Sequence, residues 1–338
     1  LDYLNVKQNL GGAVPPGAGG AELFRRRPWR SFLEKPSTAP GQGASTQTVQ
    51  WYHELDDAFV RIAGRPLEAV IGRQPISWGA GRIWQPTDVF AAFSPLALDT
   101  EYKPGIDGLL LSAYPFAFAS VQLAYILHPQ DQPAAKDSTA LHWRAQGGTV
   151  SELTLLLGRV RGEALAGGSF ETAWLEAGWR LEGLAQRAAD RDGTALFAVA
   201  GVDRQLSDGT LLLAEAYHHT RGAATEAELP AVLQSRTYRD GRMLQLSRTV
   251  LGLLASREFL GLWNGSYGLF AAPLRDAAGS RPVSLLHQLT FSYSVSDNAT
   301  AVFSLTAGGG RGQAADGAPR SEFGHAPRAL YVSLQFVL

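Results

Sequence analysis

The stretch that decides the fold is the last eleven residues, Arg328 to Leu338, which read R-A-L-Y-V-S-L-Q-F-V-L. Side chains along a strand alternate between its faces. Leu330, Val332, Leu334, Phe336 and Leu338 therefore share one face, and Tyr331, Ser333, Gln335 and Val337 the other. A soluble sheet seldom leaves so apolar a strand at its edge, where unpaired backbone groups template aggregation. A transmembrane β-barrel needs such strands, because every backbone polar group must pair and the apolar face meets lipid. A buried strand of a soluble sandwich remains the alternative on this segment alone.

The composition points the same way. Of 338 residues, 45% are hydrophobic and 18% charged, below the usual quarter for a water-exposed surface, with a net charge of −1. That balance argues against nucleic acid as a partner. The sequence contains no Cys, which excludes disulfide frameworks, thiolate metal sites, haem-attachment motifs and cysteine nucleophiles. It begins at Leu1 and holds one Met, Met243, so a mature product with its targeting peptide removed is expected.

Alternation recurs upstream. Leu285, Leu289, Phe291, Tyr293 and Val295 oppose Ser284, Gln288, Thr290, Ser292 and Ser294, with Leu286 and His287 breaking the pattern. Ala299, Ala301, Phe303, Leu305 and Ala307 oppose Thr300, Ser304 and Thr306 across the short turn S-D-N-A. A long strand over 173–188 puts Leu175, Trp179 and Leu181 on one side and Glu176, Arg180 and Glu182 on the other. The uncharged run Leu109–Leu127 is long enough for a membrane helix, but Pro115 and the alternation beyond it favour two strands with a turn near that proline. Short turns near 64–66, 146–148, 207–209 and 296–298 alternate with long connections at 77–106, 128–137, 221–237 and 310–327, as in a bacterial barrel.

The expected architecture is an all-β, antiparallel transmembrane barrel with periplasmic termini and about sixteen strands, about fourteen being the alternative. Fifteen strands are read directly, over 48–62, 66–76, 107–116, 117–127, 138–147, 150–160, 163–171, 173–188, 194–204, 209–220, 239–251, 255–271, 283–295, 297–309 and 328–338. The further strand is expected within residues 1–35. Residues 1–46 read as a Gly/Pro-rich arm, and 47–338 as the barrel. The arm carries Arg25, Arg26, Arg27, Trp29 and Arg30, a basic and aromatic cluster suited to a lumenal plug or a partner contact; a solvated arm is the plainer reading. Trp51, Trp179, Trp263, Tyr293 and Tyr331 are candidates for interfacial belts.

The most specific string is Gly72-Arg73-Gln74-Pro75-Ile76-Ser77-Trp78-Gly79, followed by Arg82, Trp84, Pro86-Thr87-Asp88 and Glu101-Tyr102-Lys103-Pro104-Gly105-Ile106-Asp107. With Val202-Asp203-Arg204, Glu215-Ala216-Tyr217-His218, Trp263-Asn264-Gly265-Ser266 and Ser321-Glu322-Phe323-Gly324, it resembles a broad set of poorly characterised porin-like outer-membrane barrels of Gram-negative bacteria. The final strand likewise resembles the C-terminal assembly strand of such proteins, with Tyr331, Leu334 and Phe336 as its signal residues. It departs from the commonest form in that Phe336 is followed by Val337 and Leu338. The resemblance implies integral outer-membrane localisation, contact with outer-membrane lipid and lipopolysaccharide, and insertion by the barrel-assembly machinery.

A connection as long as 77–106 needs a function. Folded into the lumen, it brings Arg73, Arg82 and Lys103 opposite Asp88, Glu101 and Asp107, a transverse field of the kind that discriminates hydrated solutes. Glu176, Arg180, Glu182 and Glu215 form a second candidate lining set. Salt bridges that merely hold an extracellular loop, or cross-strand pairs that stiffen the wall, are the plain alternatives. No phosphate-binding loop, dinucleotide fingerprint, H-E-x-x-H spacing or G-x-S-x-G elbow occurs, and adjacent His218 and His219 point to opposite faces of a strand. No enzyme activity, cofactor or metal is expected. The expected function is passive diffusion of small hydrophilic solutes, with a scaffold or conduit barrel around a partner protein or exported polymer as the alternative.

Overall fold

The computed structural model describes residues 58–64, 66–90, 103, 105–127, 137–188, 193–239, 242–315, 317–326 and 328–336. The expected N-terminal arm and its strand lie outside them, as do Trp51 and Glu101.

Fifteen antiparallel strands form one sheet in sequence order. They are β1 (Ala58–Ala63), β2 (Leu67–Gln74), β3 (Ile106–Phe116), β4 (Ala119–Ile126), β5 (Ser138–Gly147), β6 (Ser151–Val160), β7 (Glu163–Trp174), β8 (Ala177–Ala188), β9 (Ala195–Gln205), β10 (Leu211–His219), β11 (Thr249–Phe259), β12 (Trp263–Pro273), β13 (Val283–Ser296), β14 (Ala299–Gly309) and β15 (Ala329–Phe336). β1 and β15 are the two ends of this order, and no ladder joins them among the described residues. The two short helices, α1 (Leu229–Gln234) and α2 (Arg236–Arg239), lie in the β10–β11 connection.

Links from odd to even strands are short and define one end of the molecule. Links from even to odd strands are long, apart from the two-residue Arg161-Gly162 turn, and define the other. Short turns hold strand register, which the period-two pattern then enforces face by face.

The outward face is apolar. On β15, Leu330, Val332 and Leu334 are 72%, 60% and 54% exposed, and Leu155, Leu157, Leu181, Leu253, Phe303 and Leu305 are likewise exposed. Such a surface in water would be a severe aggregation liability; against acyl chains it is the required solvent match. Near the short-turn end the outward face carries aromatics, with Trp263 4.6 Å from Tyr293 and Trp174 6.2 Å from Trp179 between ring centroids. Of the expected belt residues, Tyr331 stands apart: its register partner is inward-facing Ser304, so it faces inward.

The structure also corrects two boundaries. The turn between the seventh and eighth strands is Leu175-Glu176, both at positive φ (54° and 57°), and not the point near residue 172. Neither residue carries a Gly, Asn or Pro turn signal, which is why alternation ran straight through them. Pro115 lies inside β3, where the register slips between Ala113 and Phe116, and the turn itself is Ala117-Phe118.

Candidate functional site

The residues after β2 fold onto the inward face of the sheet. Trp78 stacks on His142 of β5 (4.9 Å, 6°), and its Nε1 donates to Gln122 Oε1 of β4 at 2.8 Å. Trp84, fully buried, packs against Tyr217 of β10 (5.4 Å) and Phe270 of β12 (6.0 Å). One short segment thus touches strands eight apart in sheet order, so the sheet curls around it.

Two carboxylates pin this segment. Glu182 of β8 accepts from the backbone N–H of Ala80 (2.8 Å), Gly81 (2.7 Å) and Thr87 (2.6 Å), and from the Thr87 hydroxyl (2.7 Å). Glu215 of β10 accepts from the N–H of Arg82 (2.6 Å), Ile83 (2.9 Å) and Trp84 (3.1 Å). Both side chains are buried, where an isolated carboxylate is strongly disfavoured and several aligned donors are needed to hold it. The segment is itself tight: a Cβ on Gly81 would sit 1.9 Å from the Trp84 carbonyl oxygen, and one on Gly252 of β11 would meet Ile83 at 2.8 Å. Glycine is required at Gly81, where the obstacle is backbone; at Gly252 it makes room for the Ile83 and Trp84 side chains.

Asp88 and Lys103 form a buried ion pair at the far end of the same connection. Burial raises the Asp88 carboxyl above its ordinary range against the attraction of Lys103, and lowers the Lys103 ammonium against that of Asp88. A second anchor sits near the long-loop end, where buried Glu322 accepts from Leu246 N–H (3.0 Å) and Ser247 N–H (2.5 Å). Burial raises the Glu322 carboxyl, against those two donors.

Around these anchors the long-loop half of the interior is dry. Ile76, Trp78, Ile83, Trp84 and Phe90 join inward residues of β3 to β13, among them Ile126, Leu156, Leu184, Phe197, Tyr217 and Phe270, in one apolar cluster. Leu286, which broke the sequence alternation, belongs to it; its neighbour His287 faces outward, its Nδ1 2.7 Å from the Tyr267 hydroxyl. The cluster takes no residue from β1, β2, β14 or β15.

The rest of the interior is polar. Arg180 pairs with Glu171 (3.3 Å) and with Asp203, Arg144 with Glu152 (2.5 Å), and Thr154 with Ser169 (2.7 Å). Toward the two ends of the sheet the inward positions include Arg61, Glu68, Gln288, Thr290, Ser304, Thr306, Tyr331 and Ser333, interrupted by Phe59, Val70 and Val302. The Arg82 side chain is exposed although its N–H is held by Glu215, and it carries no ion pair among the described residues.

The sequence-derived candidates thus divide. Asp88 meets Lys103, and the Arg82 backbone meets Glu215. Glu182 and Glu215 face inward but hold the loop backbone. Arg73 and Asp107 bind each other (3.0 Å) as a register pair on the outward set, in line with exposed Ile71 and Leu111. Glu176, on the β7–β8 turn, is largely exposed and pairs with Arg204. Tyr331 and Leu334 lie on opposite faces of β15, and Phe336 ends it. Arg25, Arg26, Arg27, Trp29 and Arg30 lie outside the described residues. Thr87, His142 and Glu322 were missed; the T-D pair after Pro86 was the available signal for the first. Among the described residues no group of three or more His, Asp or Glu is placed to hold a metal ion.

No protein-family model matches the sequence, and no curated protein matches it significantly. Solved structures do match in fold. Wzi, an outer-membrane protein involved in group 1 capsule assembly in Escherichia coli and described as a carbohydrate-binding β-barrel, aligns with a TM-score of 0.53 at 14% identity, over 76% of this chain and 67% of that one. OccK11 (OpdR) of Pseudomonas aeruginosa aligns with a TM-score of 0.53 at 11% identity, over 85% and 82%. OccAB1 of Acinetobacter baumannii aligns with a TM-score of 0.51 at 9% identity, over 82% and 75%. The fold is that of the outer-membrane β-barrels.

Proposed function

We propose that the chain is an integral outer-membrane channel for small hydrophilic solutes, in which the inward loop closes most of the cross-section and leaves a polar path beside it. The observation that carries this reading is the division of the interior. The apolar cluster stops short of β14, β15, β1 and β2, where inward side chains are mostly polar (Arg61, Glu68, Gln74, Thr300, Ser304, Thr306, Tyr331 and Ser333), with Phe59, Val70 and Val302 the apolar exceptions. A wall meant to stay dry has no use for that polar strip; one bordering water does. Arg82 adds an exposed cation on the loop, with no ion pair among the described residues, and the polar wall carries the pairs Arg180–Glu171, Arg180–Asp203 and Arg144–Glu152. Fixed charges so arranged select by sign without tight binding.

The test is conductance of the full-length barrel in a planar bilayer. Steady ohmic steps, small for a barrel of this strand number, are expected. Verified insertion without steps overturns the channel reading.

A second reading, a scaffold or assembly barrel, rests on the plug itself. Ten or more inward strands packed on a single apolar loop make a rigid body suited to display a surface, and the similar fold of Wzi is described as carbohydrate-binding. Mild-detergent isolation that retains a stoichiometric second protein or a polysaccharide, from a barrel that does not conduct, establishes this reading instead.

A further inference from the structure

Strand register places two arginines in one outward row at the long-loop end. Arg159 of β6 pairs with Ala164 of β7, and Ala164 pairs with Arg187 of β8. The arginines therefore stand two strand spacings apart, about 9–10 Å, with only a methyl group between them. Thr139 of β5 continues the row on the other side of Arg159. Both arginines are exposed, and neither has an ion-pair partner among the described residues.

Below this pair the outward wall is hollow. Two residues along the strands come Ala166 and Ala185, paired with each other; two further along come Gly168 and Gly183, also paired. Ala198 of β9 lies beside Gly183 and extends the floor. Leu155, Phe170 and Leu181 border a shallow, open depression of about 640 Å³ over this floor, its lining mainly apolar and reaching His218 and Thr249 on the far side. The distance from the arginine row to the glycine row is four residues, roughly 13 Å. A cationic pair above an apolar trough, on the face that meets lipid, matches one kind of molecule from head to tail.

We infer that the outward wall of β6–β9 is a binding site for a phosphorylated, acylated lipid, with Arg159 and Arg187 gripping its phosphate and an acyl chain lying in the Gly168–Gly183–Ala198 trough. This rests on the outward band being lipid-facing, but not on the channel reading. Guanidinium is the side chain best shaped for phosphate, and flanking a small residue leaves room for the headgroup to descend between the two. The trough supplies shape that a flat leucine wall lacks, so the lipid is held and not merely solvating. The row itself, Thr139, Arg159, Ala164 and Arg187, carries no carboxylate, so the arginine pair is open to an anion.

Native mass spectrometry of the detergent-purified, full-length barrel titrated with bis-phosphorylated, hexa-acylated lipid A tests the site. One tightly retained lipid per chain is expected. The double variant R159Q/R187Q should weaken retention by about tenfold or more, the equivalent of one or two lost charge-assisted contacts. Dephosphorylated lipid A on the parent protein should behave alike. The variant G183L should weaken retention while keeping its dependence on phosphate; a Cβ at Gly183 has its nearest neighbour 3.9 Å away, so the wall accepts it. Unchanged retention in either variant, or indifference to phosphate, overturns the site. Conductance of the same preparations keeps the two readings apart: a conducting barrel that retains no lipid sinks only this inference, and a lipid-retaining barrel that stays silent sinks only the channel.

Discussion

Arg180 and Glu182 stand two residues apart on the same face of β8, yet they belong to different interiors. Arg180, as buried as Glu182, is met by two side-chain carboxylates, Glu171 and Asp203, that are themselves part-exposed on the polar side of the interior. Glu182 is in the dry half, its four hydrogen bonds coming from loop backbone and the Thr87 hydroxyl. The comparison shows how one wall serves both. On the polar side, a buried guanidinium is met by carboxylates that keep part of their hydration, a charge-assisted pairing between side chains. Where water is excluded, the carboxylate is met by fixed peptide dipoles, and the arrangement holds the loop in one place.

The largest expected effect comes from breaking the dry side. E182A/E215A removes the acceptors of six backbone N–H groups and leaves those donors buried beside apolar residues. Loss of one partner from a buried charged network costs about 3–5 kcal/mol, so the loop should detach. Single-channel conductance should rise several-fold, and protease should cut between residues 78 and 90. An unchanged conductance with the same cleavage pattern as the parent would show that the loop is held by packing alone. G81V should reproduce the effect by steric means, since a Cβ there meets the Trp84 carbonyl oxygen at 1.9 Å.

Next in size is the Asp88–Lys103 pair. D88N leaves a buried ammonium without its counter-charge, and a destabilisation of about 3 kcal/mol is expected. D88N/K103M, which removes both charges, should recover most of it. Urea unfolding followed by electrophoretic mobility measures both; equal losses in the single and double variants would mean the pair is not coupled. The wet side should respond differently. R82Q should shift the reversal potential under a salt gradient while leaving stability nearly untouched, and R73Q should leave selectivity unchanged, because register turns Arg73 outward toward Asp107. A selectivity change in R73Q, or none in R82Q, would reverse the assignment of the two arginines.

The two halves were not equally legible in the sequence. The outward face was readable from Arg328–Leu338 and Val283–Val295, because alternation depends only on local backbone geometry and on one apolar solvent. The loop's inward course was anticipated from its length and charges, but its mode of attachment was not. Glu182 and Glu215 read as lining charges because sequence pairs charged side chains with charged side chains; the backbone N–H groups they bind are present at every residue and leave no mark. The sequence separation of 102 between Ala80 and Glu182 removed any local spacing signal. Arg73 was misplaced for a simpler cause: its face is set by the parity of β2, and a one-residue change of phase inverts it. Leu286 and His287 looked like faults in a strand and are its adaptation, one side chain to the dry core and the other to Tyr267.

The smallest predicted effect concerns the turn that alternation concealed. Leu175 and Glu176 both occupy the left-handed region, which costs a non-glycine residue about 1–2 kcal/mol relative to glycine. The two-residue turn needs that conformation at both positions to match the twist of β7 and β8. Replacing the pair by L175N/E176G should therefore stabilise the barrel by about 1 kcal/mol, partly offset by the lower entropy cost that leucine and glutamate carried from the unfolded chain. The Glu176–Arg204 pair is exposed, so its loss should subtract little. The gain should show as a higher urea midpoint with conductance and selectivity unchanged, since this turn touches neither the loop nor the polar strip. A destabilised variant would mean that exposed Leu175, 67% accessible beside Trp174 and Trp179, anchors this end of the barrel in the lipid interface, and that the strain is kept for that contact.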